Sequence, residues 1–114
     1  MQFITNQTLH EVNIKEWQPG KDEKLFVTEL TGAEHAELEH IRHTFFSGTD
    51  EERRLAYAKI AVRFAKKADR TPFFSPLDIE KVASGSNKPL RRIYAKLTEI
   101  NELDDAAAEE LEKN

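Results

Sequence analysis

Three four-residue motifs determine where helices begin in this chain: Thr31-Gly32-Ala33-Glu34, Thr49-Asp50-Glu51-Glu52 and Ser75-Pro76-Leu77-Asp78. In such a capping box, the hydroxyl of the first residue accepts a hydrogen bond from the amide three residues on, and the acidic side chain reaches back to the first amide. The motifs therefore predict helices that start after Thr31, Thr49 and Ser75, the last with proline at its first helical position.

Apolar residues at helical spacing follow the first two motifs. The first predicted helix stops at Ser47-Gly48 and carries a single apolar stripe of Leu38, Ile41 and Phe45. The second predicted helix extends to about Ala68.

The remaining helices are separated by polar turns. The third is short and ends near Ser84-Gly85. A fourth begins after Ser86-Asn87 and carries the stripe Leu90, Ile93, Tyr94, Leu97 and Ile100.

Before the first helix, the apolar residues alternate instead. The segments EVNIKEW (11–17) and KLFVTEL (24–30) each place apolar residues at every second position, and the chain between them contains Pro19-Gly20. This pattern predicts a β-hairpin, with Trp17 as its anchor against the helices. An isolated hairpin is marginal in water, so it needs a helix or a partner on its apolar side.

Together these patterns predict a mainly α, single-domain protein of about four helices with a small N-terminal β-hairpin. We expect a flexible N-terminal segment (1–10), one folded domain (11–103) and an acidic C-terminal tail (104–114), which is either helical or frayed. A length of 114 residues is typical of one domain.

Composition excludes several classes of site. The chain has no cysteine, which excludes disulfides, thiolate metal sites and a cysteine nucleophile. No apolar run approaches the ~20 residues needed to cross a bilayer, and the first residues do not resemble a secretion signal. We therefore expect a cytoplasmic protein that does not associate with membranes.

Charge is distributed unevenly along the chain. Net charge is −4, which counts against general polyanion binding. Bases are concentrated in the middle, at Arg53, Arg54, Lys59, Arg63, Lys66, Lys67 and Arg70, and residues 99–112 contain seven acids and no base. This asymmetry favours head-to-tail self-association.

The second helix has an unusually wide apolar side. Its apolar residues span roughly 220° of the helical wheel, whereas packing against one core needs about 100°. They are Leu55, Tyr57, Ala58, Ile60, Ala61, Val62, Phe64 and Ala65. Two explanations are open: this is a central helix contacted on two sides by its own fold, or part of the arc binds another chain.

Two groups of polar residues raise the alternatives of a metal site and a phosphate-binding surface. His35, Glu39 and His43 are spaced i, i+4, i+8 and could hold zinc or nickel, but a solvated face with ion-pairing contacts explains them better. The basic strip of Lys59, Arg63, Lys66, Lys67 and Arg70 could contact phosphates, although the acidic total counts against nucleic-acid binding.

Motifs of catalysis are missing from the sequence. It contains neither a Gly-rich phosphate loop nor a GxSxG motif, and no paired carboxylates stand in an apolar setting. We predict no catalytic residues, no metal and no cofactor, and expect that the protein is not an enzyme.

In the N-terminal half, Glu16-Trp17 is followed by a turn and then by FVTELTGAE (26–34), which opens the first helix. This order of motifs resembles the N-terminal half of the tail assembly chaperones of long-tailed bacteriophages. The resemblance continues through Asp69 to Phe74 and the leucine-rich fourth helix with Asn101, and covers roughly residues 11–103. Thr71-Pro72 departs from the family pattern, in which an aspartate-glycine type of turn is commoner.

The resemblance implies a chaperone that binds the tape measure protein, keeps it soluble and promotes tail tube assembly. It further implies contact with the tail tube protein through a longer, frameshifted form, and a homo-oligomer. Such a protein acts in the bacterial host cytoplasm and is absent from the mature virion.

The predicted partner contacts are apolar residues of the second and fourth helices together with the hairpin anchor: Leu55, Ile60, Phe64, Ile93, Leu97 and Trp17. We expect Ile60 to lie at the margin of the arc. A small oligomeric nucleic-acid-binding or adaptor protein that uses the basic strip is the alternative function.

Overall fold

The computed structural model describes residues 1–103, and the predicted acidic tail (104–114) lies outside the described residues. Within them, the chain forms a mainly α fold with a small N-terminal hairpin, as predicted. Its elements are β1 (His10–Val12), β2 (Leu25–Val27), α1 (Gly32–Phe45), α2 (Asp50–Phe64), α3 (Ile79–Ala83) and α4 (Asn87–Ile100), with 3₁₀ turns at Lys15–Trp17 and Pro76–Asp78.

All three capping boxes form. The Thr31 hydroxyl accepts from the Glu34 amide at 3.2 Å, and the Glu34 carboxylate accepts from the Thr31 amide at 3.0 Å. Thr49 and Glu52 make the same pair of bonds at the start of α2. The third box caps the 3₁₀ turn Pro76–Asp78, and α3 follows directly from that turn.

The hairpin is shorter than predicted. β1 pairs antiparallel with β2 over only three residues each, with Glu11 opposite Phe26. The predicted first strand ends at Val12, and after Ile14 the chain forms a 3₁₀ turn in which the Trp17 amide donates to the Ile14 carbonyl at 3.0 Å. Gln18 then takes a left-handed conformation (φ 50°), which turns the chain towards Pro19-Gly20.

Helix α2 ends at Phe64, about a turn earlier than predicted, because the chain leaves it to pair with the hairpin. Ala65 is extended, and the next residue, Lys66, exchanges two main-chain hydrogen bonds with Phe26 at 2.9 and 2.8 Å. This bridge covers the edge of β2 that β1 leaves open and gives the hairpin the support it needs.

Helix α2 lies at the centre and packs against α1, α3 and α4. Its wide apolar arc is therefore explained by the first alternative, a central helix contacted on several sides by its own fold. In the core, the rings of Phe46 at the end of α1, Tyr57 of α2 and Tyr94 of α4 pack together, with centroids 5.0 to 5.5 Å apart.

Helix α1 packs against the core with the predicted stripe and with an adjoining side that the stripe did not include. Its buried residues are Leu38 and Arg42, and Phe46 at the helix end is also fully buried, whereas the predicted Ile41 and Phe45 are half-buried. The core side is thus an i, i+4, i+8 row that contains an arginine. Arg42 can lie there because its guanidinium donates to the Glu39 carboxylate at 2.5 Å.

Candidate partner-binding surfaces

Four of the six predicted partner contacts lie in the core. Ile60, Ile93 and Leu97 are 0% exposed and Phe64 is 2% exposed. These four side chains present no surface to a partner in the folded chain, because the neighbouring helices cover them. Leu55 and Trp17 are half-buried and remain accessible.

An uncovered apolar surface lies instead between α1 and α2, and we call it the α1–α2 face. It is a shallow depression of about 560 Å³ whose lining comes from both helices: Ala33, Ala36, Glu37, His40, Ile41 and Phe45 of α1, and Lys59 and Arg63 of α2. The α1 members recur at helical spacing along its exposed side. Leu55 precedes Lys59 by one turn on the same side of α2.

Charged groups border the α1–α2 face. The Glu37 carboxylate accepts from the Arg63 guanidinium at 2.6 and 3.0 Å, so an ion pair joins the two helices. That hydrogen bond lowers the pKa of Glu37 below its usual value and raises the pKa of Arg63. At the other end, Lys59 Nζ lies 4.6 Å from the centroid of the Phe45 ring. The face thus combines an apolar floor with a rim that carries the Glu37–Arg63 ion pair and the Lys59 ammonium.

A second surface, the aromatic groove, lies where the hairpin meets the 3₁₀ turn Pro76–Asp78 and α3. It has a volume of about 530 Å³. Its lining is mainly apolar, with three charged residues: Ile14, Trp17, Pro19, Phe73, Phe74, Val82 and Gly85, together with Glu23, Asp78 and Lys81.

Trp17 is held firmly in this groove. Its indole N–H donates to the Ser86 carbonyl at 3.1 Å, and its ring meets Phe74 edge to face at 5.8 Å. The predicted role of Trp17 as the anchor of the hairpin therefore agrees with its contacts, and its exposed part faces the groove.

The residue before Trp17 reinforces the same junction. The Glu16 carboxylate accepts from Arg92 on α4 at 2.6 and 2.7 Å, and the same guanidinium donates to the Asn13 carbonyl at 3.1 Å. The Arg92 hydrogen bond lowers the pKa of Glu16 to about 2. The hairpin is thus fixed to α4 beside the groove.

The predicted polar groupings take other arrangements. Glu39 of the histidine row accepts from Arg42 and lies 3.3 Å from His43 Nε2. In residues 1–103, no three histidine, aspartate or glutamate side chains are arranged to hold a metal ion. No helix of that part of the chain is both long and apolar enough to cross a membrane.

The basic strip is not one continuous row on a helix. Because α2 ends at Phe64, only Lys59 and Arg63 belong to it. Lys66 takes part in the bridge to Phe26, and the Arg70 guanidinium donates to the Gln7 carbonyl. These residues therefore do not form the continuous row along one helix that a helical phosphate-binding strip requires.

Both surfaces include residues that sequence reasoning did not assign to a site. In α1, one sequence feature could have predicted the α1–α2 face. Ala33, Ala36 and Ile41 form a second apolar row on the helix, beside the row that holds Leu38 and Phe46. For the aromatic groove, Phe73 and Phe74 come from a loop without periodicity, so no sequence signal could place them beside Trp17.

Comparison with protein-family models, with curated proteins and with solved structures finds no match to this chain.

Proposed function

We propose that this protein is a tail assembly chaperone of a long-tailed bacteriophage, which binds helices of the tape measure protein on the α1–α2 face. The role is non-enzymatic, and the protein acts in the cytoplasm of the bacterial host. The observation that carries the proposal is the α1–α2 face itself: a helical apolar row, left uncovered beside a second helix, on an otherwise charged domain.

The shape of the face suits a helical partner. Ala33 and Ala36 are small and exposed, so the backbone of an incoming helix can approach α1 closely at this end. Ile41 and Phe45 are larger and half-buried, and they provide apolar area at the other end. An amphipathic helix that lays its apolar side in a groove between two helices is a common mode of recognition.

The charge of the rim specifies the partner further. Lys59 and Arg63 lie on the α2 side of the face. Arg63 is already paired with Glu37, so Lys59 is the cation that an acidic residue beside the apolar stripe of a client helix would complement, and binding would then weaken as salt rises. Delivery of tail tube subunits through a longer, frameshifted form belongs to the same proposal and rests on the resemblance.

Ala36→Glu tests this surface without disturbing the core. Ala36 is exposed and helical, and glutamate is a good helix former, so we expect stability to change by less than about 0.5 kcal/mol. A matched control is Ala95→Glu, the same substitution at an exposed position of α4. Each variant is co-expressed with the candidate tape measure protein from the same genome, and the soluble fraction of that protein is measured.

Wild type and Ala95→Glu should keep the tape measure protein soluble, and Ala36→Glu should not. If Ala36→Glu works as well as the control, the client binds elsewhere. If the wild type has no effect on the solubility of that protein, the proposed function itself fails.

A further inference from the structure

We propose that the chain self-associates by inserting the N-terminal arm of one copy, residues 1–9, into the aromatic groove of a second copy. The side chains that enter the groove are Phe3 and Ile4. This contact is separate from the α1–α2 face and goes beyond the function proposed above. It requires only the folded protein at sufficient concentration.

The arm exposes apolar side chains that the domain does not cover. Met1, Phe3 and Ile4 are 105%, 92% and 81% exposed, and Leu77 is the only other large apolar residue so exposed within residues 1–103. A group of solvent-exposed apolar side chains within four residues is typical of a segment that docks on another surface.

The base of the arm is fixed to the domain. The Asn6 amide donates to the Glu29 carboxylate, and the Arg70 guanidinium donates to the Gln7 carbonyl. Phe3, three residues before Asn6, can therefore lie at most about 11 Å from this anchor, since an extended chain spans roughly 3.3–3.6 Å per residue. Phe3 and Ile4 project away from the body of their own copy, as their exposure shows.

The groove has the complementary chemistry. Trp17, Phe73 and Phe74 are each half-buried and offer ring surface to its interior. The arm has no charged side chain between Gln2 and Leu9, so Phe3 and Ile4 enter without a charged side chain beside them that would have to be buried. Glu23 and Lys81 at the groove can hydrogen-bond the main chain of an extended segment.

An arm and a groove are different surfaces of the same chain, so their pairing is head-to-tail. Such contacts close into rings when the rotation allows and otherwise continue as open filaments. The inference is therefore a multimer that grows with concentration, and not a two-fold dimer.

The chain carries a built-in reporter, because Trp17 is its only tryptophan and lies in the groove. The test follows tryptophan emission and sedimentation of the full chain on dilution from ~100 µM to ~1 µM, the range in which a contact of micromolar affinity dissociates. The variant is Phe3→Asp with Ile4→Asp, and the control is Leu77→Asp, which changes an equally exposed apolar residue outside the arm.

Wild type and Leu77→Asp should show multimers and blue-shifted emission at high concentration, both lost on dilution. The arm variant should stay monomeric, with unshifted emission throughout. Adding a peptide of residues 1–9 to the arm variant should restore the emission shift without restoring multimers. Because the contact is apolar, the association should persist at high salt, unlike one made by exposed ion pairs.

Several results would overturn the inference. An emission shift that is independent of concentration but lost in the arm variant would mean that each arm occupies its own groove. Multimers that persist in the arm variant would mean that the contact between copies lies elsewhere. The same conclusion would follow if the peptide of residues 1–9 did not change the emission of Trp17. Solubilisation of the tape measure protein tests the α1–α2 face alone, so failure of either proposal is visible separately.

Discussion

Helices α1 and α2 are 14 and 15 residues long, begin with the same threonine capping box and follow each other in the chain, yet they bury their side chains differently. Helix α2 buries seven residues on several sides, whereas α1 buries Leu38 and Arg42 and leaves Ile41 and Phe45 partly exposed. A wide apolar arc therefore marks the helix that the fold surrounds. The more sparsely apolar helix at the side is the one with free surface.

The difference has a simple physical origin. A helix with neighbours on several sides needs apolar residues around most of its circumference, and small residues let those neighbours approach. Helix α2 supplies Ala56, Ala58 and Ala61, all 0% exposed. Helix α1 has one buried side, so any apolar residue beyond that side remains at the surface.

The largest effect expected from this comparison is on stability. Ile60→Asp places a carboxylate at a fully buried position of α2, where loss of the isoleucine alone costs about 2–5 kcal/mol. Ile41→Asp changes a half-buried residue of α1 and should cost about 1–2 kcal/mol. Chemical denaturation followed by circular dichroism should show Ile60→Asp unfolded in buffer and Ile41→Asp folded. Similar midpoints for the two variants would contradict the assignment of α2 as the central helix.

The second expected effect concerns the arginine in the core side of α1. Arg42 is 3% exposed and donates to Glu39, so Arg42→Ala removes both the packing of its stem and the ion pair. We expect a loss of about 1–3 kcal/mol, mainly from the packing of the stem, because Glu39 is partly exposed and keeps access to water. The control is His43→Ala, an exposed neighbour that also contacts Glu39. Equal urea midpoints for the two variants would show that Arg42 does not support the core.

A smaller effect is expected from the threonine caps of α1 and α2. It tests whether the two helix starts are equally stabilised, so that the helices differ in burial alone. Thr31→Ala and Thr49→Ala each remove a hydroxyl that accepts one amide hydrogen bond at a helix start. Each should cost about 1 kcal/mol. Because the local geometry is the same, their unfolding midpoints should fall by similar amounts. A much larger loss for Thr49→Ala would mean that the cap of the central helix is coupled to its packing.

The parts of the fold that were predicted from sequence depend on short-range interactions. A capping box involves residues three apart, and a helical stripe needs only regular spacing, so the starts of α1, α2 and α4 were correct. The end of α2 was not, because Lys66 leaves the helix to bond with Phe26, 40 positions earlier in the chain. Such pairing has no local signature.

Candidate surfaces were harder to predict for the same reason. The arc on α2 has the same pattern whether its neighbours are other helices of the fold or a partner, and Ile60 and Phe64 were placed on a surface on that basis. Ile93 and Leu97 were placed there as part of an exposed edge of α4, which the fold covers. The core side of α1 depended on Arg42, whose burial requires the position of Glu39 and the helices around it. The aromatic groove brings together four separate stretches of chain, of which only Trp17 was singled out.

The smallest expected effect is the pH dependence of the ion pair that joins the two compared helices. Arg63 on α2 holds the pKa of Glu37 on α1 below its ordinary value. A carboxyl group whose folded-state pKa is depressed stabilises the fold above its unfolded pKa, near 4.5, and loses that contribution as pH falls towards the folded value.

Wild type should therefore be slightly more stable than Glu37→Gln at pH 7, with the difference shrinking by pH 3. Urea midpoints of both proteins at the two pH values measure it, with Glu11→Gln, a substitution of an exposed glutamate on β1, as the control for a general charge effect. A difference that stayed constant with pH would mean that Glu37 joins α1 to α2 by packing and not by charge.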